Sequence, residues 1–137
     1  MYILLTNVTP MEELLMDVNW AAVAVGAVLA YALGWLWYSP KLFATKWLEG
    51  IRVRPDDNTP MMPAMIAQAV GTFFLAWVIG ITERTDSIFT AILIALTIAI
   101  LVKANGLFSQ KSKYAIMVES GYILAMVVVM ILAHVFI

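Results

Sequence analysis

Long apolar runs broken by short polar stretches dominate this chain. Four of them approach the roughly 20 residues needed to cross about 30 Å of hydrocarbon. They run from about Asn19 to Tyr38, Met62 to Ile81, Ile88 to Phe108 and Ala115 to Ile137. Apolar positions are continuous rather than alternating, which disfavours barrel strands. Only a helix satisfies its own backbone in lipid without closing a barrel. The pattern therefore predicts an all-α fold: four transmembrane helices in an up-down antiparallel bundle over residues 18–137, with 1–17 as an N-terminal outside segment.

The breaks carry matching signals. Asp17 or Asn19 suits the N-cap of the first span, and Asp86 or Ser87 that of the third. Thr59 before Pro60 suits a helix start, with Pro63 still in the first turn. Residues 82–87 and 109–113 are short enough to force neighbouring helices antiparallel. The first break is longer. From Pro40 to Ile51, Phe43, Trp47 and Ile51 share one helical stripe, with Lys46, Glu49 and Arg52 elsewhere on the wheel. This predicts a short helix at about 40–51 in the membrane interface, its basic residues near anionic lipid. Residues 54–57 then turn the chain toward the second span.

Composition agrees. Of 137 residues, 64% are hydrophobic and 12% charged, against roughly 45–50% and about 25% in soluble domains. A net charge of −1 gives no reason to expect nucleic acid as a partner; the bilayer is the expected one. The absence of cysteine removes disulfides, thiol chemistry and cysteine-held metal sites. Residues 1–17 hold no Lys or Arg but do hold Glu12, Glu13 and Asp17, unlike a cleaved signal, so the first span is expected to be retained. Basic residues set the direction. Lys41, Lys46, Arg52 and Arg54 follow the first span, and Lys111 and Lys113 lie between the third and fourth. Only Arg84 lies on the other side. Loops 39–61 and 109–114 are thus expected in the cytoplasm and both termini outside.

Two small-residue rows stand out: Ala22, Gly26, Ala30 and Gly34 in the first span, and Ala91, Ala95 and Ala99 in the third. Such rows let backbones approach closely, either within the bundle or, for the first row, between two copies. The third-span row continues to Lys103. Lys103 and Glu119 each sit about five residues inside a span, about 7 Å deep at 1.5 Å per residue, at equal depth across a hairpin. A lone charge at mid-helix costs about 2.5–3.5 kcal/mol on the insertion scale. An intramembrane ion pair would offset much of that. The alternatives are a snorkelling lysine, or a proton or cation site at Glu119 tuned by Lys103. Exchanging the two charges tests the pair. Asn105 and Gln68 suit interhelical hydrogen bonds or a cavity lining. His134, the one histidine, is expected near the outer interface without a catalytic role, and Met126 and Met130 are filler. No phosphate loop, nucleophile motif or zinc spacing appears, and no cofactor or metal is expected.

Asn19-Trp20, the run Gly34-Trp35-Leu36-Trp37-Tyr38-Ser39-Pro40, Leu42-Phe43 and Trp47 resemble the N-terminal signature of a bacterial family, domain of unknown function 1761. Gly106-Leu107-Phe108 and Gly121-Tyr122 resemble its C-terminal hairpin. The likeness covers nearly all the chain from Val18 onward. It implies a small four-helix inner-membrane protein and no assigned activity. Residues 1–17 depart from the pattern, as an extra outside segment or an upstream start with Met16 as the alternative. Read from the residues alone, Trp37, Tyr38, Ser39 and Pro40 form a membrane-to-surface elbow. Ser39 suits the cap of the interfacial helix, Pro40 its first position, and Trp35, Trp37 and Tyr38 an aromatic belt. A ligand-contacting role for this elbow is the other reading.

The leading expectation is a non-enzymatic membrane protein acting by association, as a homo-oligomer or an accessory subunit. The rival is a small proton- or cation-coupled transporter or channel using Glu119 and Lys103. Its layout resembles that of the small multidrug-resistance exporters, although the key glutamate of those proteins lies in the first helix, where this chain has none.

Overall fold

A computed structural model describes residues 9–53 and 61–137. Six helices follow one another there: α1 (Pro10–Leu15), α2 (Trp20–Trp37), α3 (Ala44–Ile51), α4 (Met62–Arg84), α5 (Ile88–Phe108) and α6 (Lys113–Phe136). No strand occurs among the described residues. Four helices, α2, α4, α5 and α6, are long and apolar enough to cross a membrane.

Local chemistry sets the boundaries. Asn19 caps α2, its side-chain oxygen accepting from the Ala22 N–H at 3.1 Å. Ser112 does the same for α6 through the Ala115 N–H at 3.0 Å, so that helix starts at Lys113, two residues before the expected Ala115. Ser87 precedes α5, but its hydroxyl bonds within the turn to Thr85 and does not cap. α4 runs three residues past the expected Ile81, because the Thr82 hydroxyl turns back to the Ile79 carbonyl and leaves the helix unbroken through Arg84. Asp17, Arg52, Asp86 and Gln110 take positive φ where the chain reverses. The expected Thr59–Pro60 start and the 54–57 turn lie outside the described residues.

Ser39 and Pro40 depart from expectation. Residues 40–43 form turns and α3 begins at Ala44. The Ser39 hydroxyl donates to the Leu36 carbonyl at 2.7 Å, while its own carbonyl accepts from the Leu42 and Ala44 N–H groups. Ser39 thus closes the end of α2 and does not cap α3 through its side chain.

α6 is the central helix, packed against α2, α3, α4 and α5. The core joins Val23 and Ala30 of α2, Ala76 and Ile79 of α4, and Met126 and Met130 of α6. Large apolar side chains point outward along the spans: Leu29, Phe89, Leu93, Ile100 and Leu101 among them. Water would penalise this surface heavily, whereas acyl chains solvate it. The chain is a multi-pass membrane protein.

Both small-residue rows are spent inside the chain. Ala22, Gly26 and Ala30 are buried, and a Cβ on Gly26 would stand 3.3 Å from the Met130 Cα of α6. Ala91, Ala95 and Ala99 are buried along α5, the helix that packs on α6. Because α6 covers the first row, that row is not open to a second copy.

Candidate functional site

α2, α3, the α5–α6 turn and the start of α6 converge on Glu119. Its carboxylate accepts from Lys111 Nζ at 2.9 and 3.1 Å, one contact to each oxygen, and from the Trp47 indole N–H of α3 at 2.9 Å. Glu119 keeps 16% of its side-chain exposure and Lys111 25%. This is the one ion pair among the described residues.

Aromatic rings close over this tie. Trp47 packs on Tyr38 at 4.6 Å between centroids, and Tyr38 meets Tyr122 edge-on at 5.5 Å. Trp37 lies 5.0 Å from Phe43 and donates its N–H to the Val118 carbonyl at 2.9 Å. The buried Tyr122 hydroxyl crosses to the Ala30 carbonyl at 2.8 Å, through space a side chain at Gly34 would take: a Cβ there would stand 2.5 Å from that hydroxyl. The α5–α6 turn is pinned to α3 as well. The Ser112 N–H donates to the Gly50 carbonyl at 3.0 Å, and the Arg52 guanidinium to the Gln110 carbonyl at 2.9 Å. Gly50 is glycine where α3 presses on Ser112 and Ala115, since a Cβ would stand 2.6 Å from the Ala115 methyl.

The expected Lys103–Glu119 pair is corrected: Lys111 holds Glu119, and Lys103 is exposed. Helix geometry gives the reason. A row at four-residue spacing drifts about 40° per step, because 3.6 residues make a turn. By Lys103 the row has left the face of α6, and the buried line continues through Gly106. Lys111, just before α6, instead reaches back along the first turns of that helix. Nothing in the spacing of the sequence points to Lys111 or Trp47 as the partner of Glu119. The available signal was that Trp47 already lay on the apolar stripe of α3.

The other intramembrane polar groups are scattered. Gln68 donates to Thr72 on its own helix at 3.1 Å and makes a long 3.9 Å contact to Met126 Sδ. Asn105 is exposed. Its side chain makes no hydrogen bond among the described residues, so of this pair only Gln68 makes an interhelical bond, the long one to the sulfur of α6. His134, in the last turn of α6, is packed inside the bundle at 7% exposure. Its Nδ1 lies 2.9 Å from the Met130 carbonyl, and its Nε2 has no partner. The ring is covered by the stretch that brings Val18 and Val23 against Gly80. Near that end α1 folds onto α4, with Trp77 donating to the Leu14 carbonyl and Arg84 to that of Met16, each at 2.7 Å. A cleft of about 550 Å³ there is lined by Glu12, Glu13, Asp17 and Arg84 among others. Among the described residues no three His, Cys, Asp or Glu side chains gather as a metal site.

Residues 21–135 match the family described as Protein of unknown function (DUF1761). The chain belongs to that family. No curated protein and no solved structure matches it. In this DUF1761 chain the residues that carry the resemblance come together in space. Trp37, Tyr38, Phe43 and Trp47 from one stretch meet Tyr122 and Gly121 from the other, Gly121 lying where a Cβ would be 3.4 Å from Trp37. What they build in DUF1761 is a packed joint between α2, α3 and α6. The carboxylate at its centre, Glu119, is compensated by Lys111.

Proposed function

We propose that the chain is a non-enzymatic membrane protein acting by association with other membrane helices, as a homo-oligomer or an accessory subunit. In this reading Glu119 ties α3 to the α5–α6 hairpin and carries no ion. The supporting observation is that both carboxylate oxygens are engaged, by a lysine and an indole N–H, beneath packed rings. A transported cation would have to displace Lys111 and leave the ammonium unpaired, which is costly away from water.

Orientation belongs to the same proposal. Among the described residues Lys41, Lys46, Arg52, Lys103, Lys111 and Lys113 flank this joint, with Glu49 and Glu119 as the acidic residues near it. Glu12, Glu13, Asp17, Glu83 and Asp86 lie toward the other ends of the spans, with Arg84. The excess of lysine and arginine puts the α3 side in the cytoplasm of the bacterial inner membrane and both termini outside.

Reconstitution tests the reading. Purified chain in phosphatidylethanolamine/phosphatidylglycerol vesicles carrying a proton or potassium gradient should dissipate it no faster than empty vesicles. A flux that Glu119→Gln abolishes would overturn the proposal in favour of transport.

A further inference from the structure

His134 is a buried polar group that the packing of the bundle leaves unexplained. Its Nδ1 lies 2.9 Å from the Met130 carbonyl. A carbonyl only accepts, so Nδ1 carries the proton and Nε2 is a bare acceptor. No donor reaches it among the described residues. Nε2 faces the backbone of Gly80: a Cβ there would stand 3.3 Å from it, 3.2 Å from a Val18 methyl and 2.7 Å from a Val23 methyl. The charged groups of the surrounding elements stay outside this apolar wall. Glu12, Glu13, Asp17 and Arg84 line the cleft of α1 and α4, with Glu83 and Asp86 close by in the chain. α2 carries no charge, α5 none before Lys103 toward its other end, and α6 none nearer than Glu119, about four turns away. None of these groups bonds the ring. The cleft lining includes Asp17 and Ile81, the chain neighbours of Val18 and Gly80, so the cleft reaches the cover of the ring.

A proton on Nε2 would add a cationic N–H aimed at Gly80 with no acceptor, and an unpaired buried charge is strongly unfavourable. Part of the wall must then give. α2, α4 and α6 run for 18 to 24 residues and share the core. The covering strap is weaker. α1 has six residues and buries none, too short to persist alone. Among the described residues two side-chain bonds hold this strap to α4, from Trp77 to the Leu14 carbonyl and from Arg84 to the Met16 carbonyl. Asp17 takes φ of +57° between α1 and Val18, a conformation disfavoured outside glycine. We propose that Val18 and α1 form a proton-operated latch. It closes over neutral His134 and lifts when Nε2 takes a proton, which admits water and the cleft carboxylates as acceptors. Segments of low local stability are where such opening occurs. Because the open state binds one proton more than the closed, falling pH favours opening, by up to about tenfold in the open:closed ratio per pH unit. The latch is independent of the association reading and of the Glu119 tie at the other end of the bundle.

The chain has no cysteine and one histidine, so introduced thiols and the native imidazole can each be read without background. Spin labels go on Met11→Cys of α1 and Ile88→Cys of α5, both exposed, in the full-length chain in phosphatidylethanolamine/phosphatidylglycerol vesicles. The distance between them should be short and narrow at about pH 8 and longer and broader at about pH 5, the range across which histidine ordinarily titrates. In the chain without spin labels, the isotope-labelled ring nitrogens should show the neutral Nδ1–H form at the alkaline end. The imidazolium should appear in step with the opening. His134→Gln should make the distance independent of pH. An imidazole still neutral at the acid end, or an imidazolium that forms with the labels unmoved, overturns the latch. So does an opening that persists in His134→Gln, and its loss in Asp17→Asn would then put the sensor in the cleft. Should His134→Gln not fold, the ring resonances and the label distances with His134 in place decide alone.

Discussion

Replacing Lys111 by methionine removes the ammonium from both Glu119 oxygens and leaves that carboxylate a single neutral donor, the Trp47 indole. Breaking a fully buried pair on one side costs about 3–5 kcal/mol, whereas an exposed pair contributes about 0–1 kcal/mol. With 16% and 25% of the two side chains exposed, the pair lies nearer the buried limit but keeps some water. Lys111→Met should therefore cost about 2 kcal/mol. Trp47→Phe keeps a ring against Tyr38 and loses the N–H, about 1.5 kcal/mol for a hydrogen bond to a charged acceptor. A double-mutant cycle between Lys111→Met and Glu119→Leu should give a coupling of about 1 kcal/mol or more, since residues in one network are not additive. Lys103→Met, on the outward face of α5, should leave stability unchanged. The assay is reversible unfolding in mild detergent titrated with dodecyl sulfate, followed by helical circular dichroism. The reasoning fails if Lys103→Met is as costly as Lys111→Met. It fails equally if the Lys111–Glu119 coupling vanishes, or if exchanging the charges at 103 and 119 restores what the single changes lose.

Glycines around the joint give further tests by the same unfolding assay. Gly34→Ala should cost about 1–3 kcal/mol, because the new methyl meets the Tyr122 hydroxyl; in a Tyr122→Phe background the penalty should shrink. Gly50→Ala should push α3 off the hairpin turn, read as faster proteolysis near residues 44–53 with α4–α6 still protected. Gly80→Ala, whose Cβ would stand 2.7 Å from a Val23 methyl, should cost about 1–3 kcal/mol at the opposite end. Gln110→Gly should stabilise by about 0.5–1 kcal/mol, since φ is +57° there and glycine takes that conformation without a Cβ penalty.

The spans were legible because each depends on a local quantity, a run of apolar residues ended by polar ones. α5 occupies Ile88–Phe108 as read, between Ser87 and Ser109. α4 overran its apolar limit because Glu83 and Arg84 are adequate helix formers and Thr82 turned its hydroxyl inward. Helix rotation was not legible. It fixes which side of α5 meets α6, and follows from the whole packing. A spacing rule that carried the Ala91–Ala99 row on to Lys103 therefore chose the wrong lysine. The burial of His134 was not legible for a similar reason, since it comes from Val18 and Gly80, both more than 50 positions away in the chain. The apolar stripe on α3 was visible, but that it serves α6 as well as lipid was not.

That last point bears on what the family signature does. A helix of eight residues such as α3 is too short to persist on its own in water. An interfacial helix of that length needs either lipid or protein to hold it. Here protein does much of the holding, through Trp47 to Glu119, Gly50 to Ser112 and Arg52 to Gln110. All three ties end on the α5–α6 hairpin, so α3 and the hairpin turn should order together. Trp37 and Tyr38, at the exit of α2, pack against the α3 side and against Tyr122 at once. They fix the angle at which α2 hands the chain to α3. A ligand-contacting elbow would need free ring faces or a free indole N–H. The indoles of Trp37 and Trp47 are engaged, on Val118 and Glu119, and Tyr38 is packed between Trp47 and Tyr122; Trp35, one turn back toward lipid, stays 68% exposed. The Trp-Tyr-Ser-Pro element is therefore better explained as a joint than as a binding site. Polar capacity left over in the spans lies away from this joint, at the exposed Asn105 side chain of α5 and at the buried His134 Nε2 of α6.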